Sequence, residues 1–208
     1  MRHLIWDMGG TLIDTYPQVI TALCSALENP DGTCPIPHEI SALTRVSIAS
    51  AMATLSSRYQ IPRQQLEEAY TELKRSWQDH PAPLMVGAQE LLQAVCDTGG
   101  RNIVVTHRDR TSATALLRGH GLLPGEGGLI SGLVCASDGF PRKPDPAMFL
   151  HALRKFHLDP TQTAAVGDRP IDAAAAQAAG LRAFQIPAHG PRFTAVAAWV
   201  SGSAGSVS

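Results

Sequence analysis

Two short segments, far apart in the chain, concentrate carboxylates beside glycine. Asp7-Met8-Gly9-Gly10-Thr11 sets an acid ahead of two glycines and a threonine. Gly167-Asp168-Arg169-Pro170-Ile171-Asp172 sets two acids four residues apart. Between them lie Thr106, which follows the apolar run Ile103-Val104-Val105, and Lys143, in Arg142-Lys143-Pro144-Asp145-Pro146. Two or three carboxylates with a hydroxyl and an ammonium suit Mg²⁺ together with a phosphoryl group. Mg²⁺ is a hard ion that takes one or two carboxylates and keeps waters. A lysine neutralises phosphate oxygens as a point charge, and a threonine hydroxyl donates one hydrogen bond to them. Each segment also has an ordinary reading. Asp and Gly are common turn residues, Asp172 suits the first turn of a helix, and Lys143 could be a solvated loop lysine.

The elements around these residues give them a common place. Arg2 to Trp6 reads as a short buried strand ending at Asp7, and Arg101 to Val105 as a strand leading into Thr106. Thr163 to Val166 reads as a strand running into Asp168. Further strands are expected at 129–136 and 181–186. Helices are expected at 87–97, 111–120, from Pro146, and across the alanine-rich stretch to Gly180. Strands alternating with helices imply βαβ units and a parallel sheet with right-handed crossovers. In such open sheets ligands bind at the C-terminal edges of the strands, where Asp7, Thr106 and Asp168 all fall.

From Tyr16 to His80 the pattern is helical instead. Val19, Ile20, Leu23 and Leu27 form one apolar stripe, Ile48, Met52 and Leu55 another, and Leu66, Ala69, Tyr70, Leu73 and Trp77 a third. Asp31 to Pro37 reads as a loop and Pro81-Ala82-Pro83 as a stiff boundary. The expected architecture is an α/β, doubly wound parallel sheet with a helical insert. The core would span 1–14 and 83–200 and the insert 15–82, with residues 201–208 a disordered tail.

Composition narrows the partners. A net charge of −1 over 208 residues, 44% hydrophobic and 17% charged, is that of a globular chain. It offers no electrostatic reason to bind nucleic acid or an anionic membrane. No apolar run approaches the ~18 residues of a membrane span, and no signal peptide is legible. Cys24, Cys34, Cys96 and Cys135 are scattered and read as buried free thiols, which fits a reducing, cytoplasmic location.

In this order and at these spacings the segments resemble the haloacid dehalogenase-like superfamily, in the phosphoglycolate phosphatase-like branch with a small α-helical cap after the first motif. The resemblance runs from Arg2 to about Ile186. Asp7-Met8-Gly9-Gly10-Thr11 sits on the DxDGT motif, Thr106 on the second motif, Lys143 on the third, and Gly167 to Asp172 on GDxxxD. It implies that Asp7 attacks phosphorus and becomes an aspartyl phosphate. Thr106 and Lys143 would hold the transferring oxygens, and Lys143 would also restrain Asp7. Mg²⁺ would be bound by Asp7, Asp168, the backbone carbonyl of Gly9 and, directly or through water, Asp172. His107 and Arg108 would line the phosphate site, and Arg45 is a candidate substrate contact. Lys74, the lone lysine of the insert, reads as an ordinary surface lysine rather than a Schiff-base former.

One position departs from the motif. The residue two after the nucleophile is an Asp in the family's phosphatases, protonating the leaving group and then deprotonating water. Here it is Gly9. General acid–base help is worth roughly 100- to 10,000-fold. The expectation is therefore a Mg²⁺-dependent phosphatase on a small phosphorylated metabolite, weak on alkyl phosphates and better on acyl and activated aryl phosphates. His107 is a candidate surrogate acid. The alternative is a catalytically impaired relative that binds a phosphorylated ligand or partner.

Overall fold

The computed structural model of the chain describes residues 1–27, 34, 36–125, 127–187 and 192–202. Five parallel strands form one sheet: β1 His3–Trp6, β2 Asn102–Thr106, β3 Ile130–Cys135, β4 Thr163–Gly167 and β5 Arg182–Gln185. Their order is β3-β2-β1-β4-β5. The chain therefore moves outward from β1 through β2 to β3, then crosses back to place β4 on the other side of β1. That reversal puts the C-terminal ends of β1 and β4 side by side, with Trp6 opposite Val166 and the Asp7 N–H donating to the Val166 carbonyl at 2.9 Å. Open α/β sheets bind ligands at such a switch point.

The strands are apolar almost throughout because both faces are covered. Alternate residues point to opposite faces. Leu4, Trp6, Val104 and Val166 pack on one side with Leu91, Leu92, Val95, Leu116 and Leu117. These come from α5 (Ala88–Asp97) and α6 (Arg110–Gly119). Ile5, Ile103, Val105 and Ala165 pack on the other side with Met148, Phe149, Ala175 and Ala176, from α7 (Ala147–Lys155) and α8 (Pro170–Ala178). A helix absent from the sequence reading, α9 (Thr194–Ser201), adds Val196, Trp199 and Val200 to the first side.

Between β1 and α5 lie α1 (Tyr16–Ser25), α2 (Pro37–Val46), α3 (Ile48–Tyr59) and α4 (Arg63–Ser76). They bury Val19, Leu23, Ile40, Met52, Leu55 and Leu66 in a separate cluster. The apolar stripes read from the sequence are thus mostly the inward faces of this four-helix layer. Trp77, just past α4, belongs to the sheet-side core instead.

One expectation is corrected here. Cys24 and Cys34 are not free thiols: they form a disulfide between the end of α1 and the segment before α2. Sequence spacing did not reveal it because the approach of the two sulfurs depends on how α1 and α2 pack. Cys96 and Cys135 are free, as expected. The loop assigned to Asp31–Pro37 and the tail at 201–208 lie largely outside the described residues, although Ser201 closes α9. No helix among the described residues is long and apolar enough to cross a membrane.

Candidate active site

Asp7 stands at the C-terminal edge of β1 and is almost wholly buried. It is followed by a tight loop in which the Gly10 N–H donates to the Ile13 carbonyl and the Leu12 and Ile13 N–H groups to that of Met8. Gly10 carries the positive φ, +81°, and its missing Cβ makes room for Tyr16 and Asp168; Gly9 lies outside the left-handed region.

Topology brings the other carboxylates to Asp7. Oxygens of Asp7, Asp168 and Asp172 all lie within 4.8 Å of one another. Lys143, reaching in from the loop before α7, is buried and joins two of them: Nζ donates to Asp7 Oδ1 and to Asp172 Oδ1, each at 2.6 Å. Asp172 Oδ2 accepts from the Arg169 N–H at 3.2 Å, capping α8. Asp172 thus stands at the N-terminus of α8, one of its two readings from the sequence, and its carboxylate lies beside those of Asp7 and Asp168. Asp168 accepts from the Tyr16 hydroxyl at 3.0 Å and the Thr11 hydroxyl at 3.3 Å.

Opposed charges divide the protonation behaviour. Burial pushes the Asp7 carboxyl up, but the Lys143 ammonium and the Arg169 guanidinium outweigh it and hold the group below the usual carboxylate range. Burial works against the Lys143 ammonium, yet Asp7 and Asp172 hold its pKa up. Burial and the neighbouring Asp7 charge push Asp168 up to about 6, against the Tyr16 hydrogen bond. Asp172 also rises, through burial and Asp7. Three carboxylates stand against the Lys143 ammonium, which bonds Asp7 and Asp172, and the Arg169 guanidinium, 3.8 Å from Asp172, a surplus of negative charge built of hard oxygen donors. The set fits a small divalent cation such as Mg²⁺.

Thr106 ends β2, buried, and its hydroxyl accepts from the Arg108 N–H at 3.2 Å. His107 does not fit the part of surrogate acid. Its Nε2 accepts from the Lys143 N–H at 2.9 Å, so that nitrogen is unprotonated and holds the Lys143 loop. Burial, with the charges of Lys143, Arg169 and Arg142, lowers its pKa to about 4 and keeps it neutral.

Asp7 and Thr106 open into a cleft of about 330 Å³ between the sheet edge and the helical layer. Its lining carries Lys74, Arg108, Arg142 and Arg169 against Asp7 and Asp109, an electropositive surface that suits an anion. Lys74 pairs with Asp109 at 3.5 Å at the cleft wall, and both side chains remain partly exposed. Arg45 is exposed and stacks 5.3 Å over the Tyr16 ring. Thr15, Tyr16, Tyr70 and Arg169 were missed from the sequence. Arg169 alone left a signal, standing inside the Gly167–Asp172 segment.

The chain is similar to known proteins along most of its length. The sequence profile described as "Haloacid dehalogenase-like hydrolase" matches residues 4–186. The phosphoglycolate phosphatase of Nitrosospira multiformis is 31% identical over 198 residues, covering 90% of this chain and 83% of that protein. The N-acetylmuramic acid 6-phosphate phosphatase of Pseudomonas aeruginosa is 27% identical over 185 residues, covering 88% and 80%. Among solved structures, a hydrolase from Streptococcus pneumoniae superposes with a TM-score of 0.66 at 28% identity, covering 90% of this chain and 94% of that one.

Proposed function

Because the chain belongs to the haloacid dehalogenase-like hydrolase family, we propose that it is a Mg²⁺-dependent phosphatase acting on a small phosphorylated metabolite through an aspartyl phosphate on Asp7. The observation that carries this reading is the arrangement of buried Asp7, Lys143 and Asp172 with half-buried Asp168 at the β1/β4 switch point. The relatives named for phosphatase activity on two different phosphate esters support the reaction class without choosing the substrate.

Asp7, kept ionised by Lys143 and Arg169, supplies the attacking oxygen. Covalent catalysis by a carboxylate divides one difficult displacement into two easier ones. Lys143 orients Asp7 through a 2.6 Å hydrogen bond and offsets charge on the transferring oxygens, to which the Thr106 hydroxyl donates. Asp7, Asp168 and the Gly9 carbonyl would hold Mg²⁺, with Asp172 beside them. When bound, the ion neutralises phosphoryl charge and fixes the orientation of the group. Helices α1–α4 serve as the cap, which closes over the phosphate and excludes water.

Gly9 leaves the leaving group without a proton donor at the family's position. Turnover should therefore be poor on alkyl phosphates and better where the leaving oxygen is stable as an anion. The same absence favours a second reading, a catalytically impaired protein that binds a phosphorylated ligand. Phosphate release from a panel of phosphorylated metabolites, with Mg²⁺ and with EDTA, tests both. EDTA-sensitive turnover supports the enzyme. Tight binding of the same compounds without release supports the second reading.

A further inference from the structure

The space that a side chain at position 9 would enter is already taken. A Cβ built on Gly9 would stand 3.0 Å from Arg108 Nη2, 3.6 Å from its Nε and 3.1 Å from Thr15 Oγ1. Arg108 is held there from three sides: Nη2 donates to Thr15 Oγ1 at 2.8 Å, Nη1 donates to the Tyr70 hydroxyl at 3.3 Å, and the guanidinium lies 4.6 Å over the Trp77 ring. It forms no ion pair with a carboxylate among the described residues, and it faces the cleft that also contains Asp7. Two of its five N–H donors are spent on Thr15 and Tyr70.

We propose that Arg108 replaces the missing acid–base carboxylate with a fixed positive charge, and that the site thereby selects substrates whose leaving oxygen departs as an anion, in particular acyl phosphates. This rests on the phosphatase reading above. A guanidinium does not hand over protons, but it pairs with a carboxylate through two parallel N–H donors. In the first step an Asp7 oxygen bonds to phosphorus, and the bond from phosphorus to the acyl oxygen breaks. The electron pair leaves with that oxygen, and the product is a carboxylate facing Arg108, with no proton needed. In the second step a water oxygen bonds to phosphorus and the aspartyl phosphate opens. The leaving group is again a carboxylate, that of Asp7, and the water proton ends on the released phosphate. Acyl phosphate and water give carboxylate and dihydrogen phosphate, so atoms and charge balance.

The test uses the full chain with Mg²⁺, acetyl phosphate, glycerol 1-phosphate and a series of aryl phosphates of graded phenol pKa. Arg108→Ala is compared with Arg108→Gln, which keeps a stem over Trp77 and an N–H donor but loses the charge. Both are checked against wild type for an unchanged melting transition. Expected are a fall in kcat on acetyl phosphate on the order of 100-fold, the scale of one lost donor to a developing oxyanion, and a smaller loss on the aryl phosphates, whose phenolate offers the guanidinium one oxygen rather than two. A loss by one common factor on acetyl and aryl phosphates, or no loss, overturns the assignment of Arg108 and leaves the phosphatase standing. Failure of wild type to release phosphate from any substrate overturns the phosphatase reading itself, and the inference with it.

Discussion

Lys143 Nζ sits 2.6 Å from Asp7 Oδ1, across 136 residues of sequence and with neither side chain open to solvent. The same ammonium binds Asp172 at 2.6 Å, so removing it strands two buried carboxylates at once. Breaking a buried pair by deleting one partner costs about 3–5 kcal/mol. Asp7→Asn leaves Lys143 and Asp172 as a balanced pair and should cost far less. Urea unfolding without metal should therefore rank Lys143→Met well below Asp7→Asn, which in turn lies within about 1 kcal/mol of wild type. Both should lose phosphatase activity by on the order of 10³-fold or more. An Asp7→Asn protein retaining activity within a few-fold would contradict the covalent mechanism.

Metal binding should show in stability as well as in rate. A ligand selective for the native state adds RT ln(1+[L]/Kd), about 2.7 kcal/mol at a hundred-fold excess over Kd. Asp168→Asn keeps an acceptor for one of Tyr16 and Thr11, which bond different Asp168 oxygens, and removes a carboxylate that Asp7 and Asp172 repel. The variant should lose most of the Mg²⁺-induced rise in melting temperature while its metal-free melting point stays level or increases. A full Mg²⁺ response in the variant would mean that the metal site has been misplaced.

His107 gives a pH signature. Its folded pKa, about 4, lies below the ordinary 6.5, so the unfolded chain takes up this proton first as pH falls. Its contribution to stability is complete above pH 6.5 and is lost between about 6.5 and 4. His107→Gln offers an amide oxygen to the Lys143 N–H without titrating. Across that window the urea midpoint of wild type should fall more than that of the variant. Parallel midpoints would show that the histidine does not contribute to the acid sensitivity.

Restoring the carboxylate at position 9 should depend on Arg108. Backbone conformation is no obstacle, because Gly9 lies outside the left-handed region. The new side chain would instead meet the Arg108 guanidinium, held there by Thr15, Tyr70 and Trp77, and pair with it. Gly9→Asp alone should therefore gain little on alkyl phosphates. Introduced into Arg108→Ala, the same change should raise alkyl-phosphate kcat/KM at least ten-fold, from the roughly 100- to 10,000-fold worth of an acid–base group. A double-mutant cycle reads the coupling directly. Equal gains in both backgrounds would show that the two side chains do not compete for the space.

Much of the site was legible because its parts are local. An apolar run ending in Asp7, another ending in Thr106, and Gly167 to Asp172 announce strand ends by composition alone, and β1, β2 and β4 lie within a residue or so of where those runs suggest. Alternation of strands and helices was enough to make the sheet parallel. The replacement at Gly9 was also plain, since it is a matter of identity at one position.

What the tertiary structure decided is what depends on distant neighbours. The order β3-β2-β1-β4-β5 determines that Asp168 stands beside Asp7, and no run of residues encodes which strands will be adjacent. His107 changed from candidate acid to half-buried acceptor because the Lys143 N–H, 36 residues on, points at its ring. Cys24 and Cys34 became a disulfide through the packing of α1 and α2. Arg108 could be placed near the phosphate site from its position after Thr106. Its entry into the space beside Gly9, however, is determined by Thr15, 93 residues away, and Tyr70, 38 residues away. A side chain's identity is written in the sequence; its direction is a sum of contacts that exist only once the chain has folded.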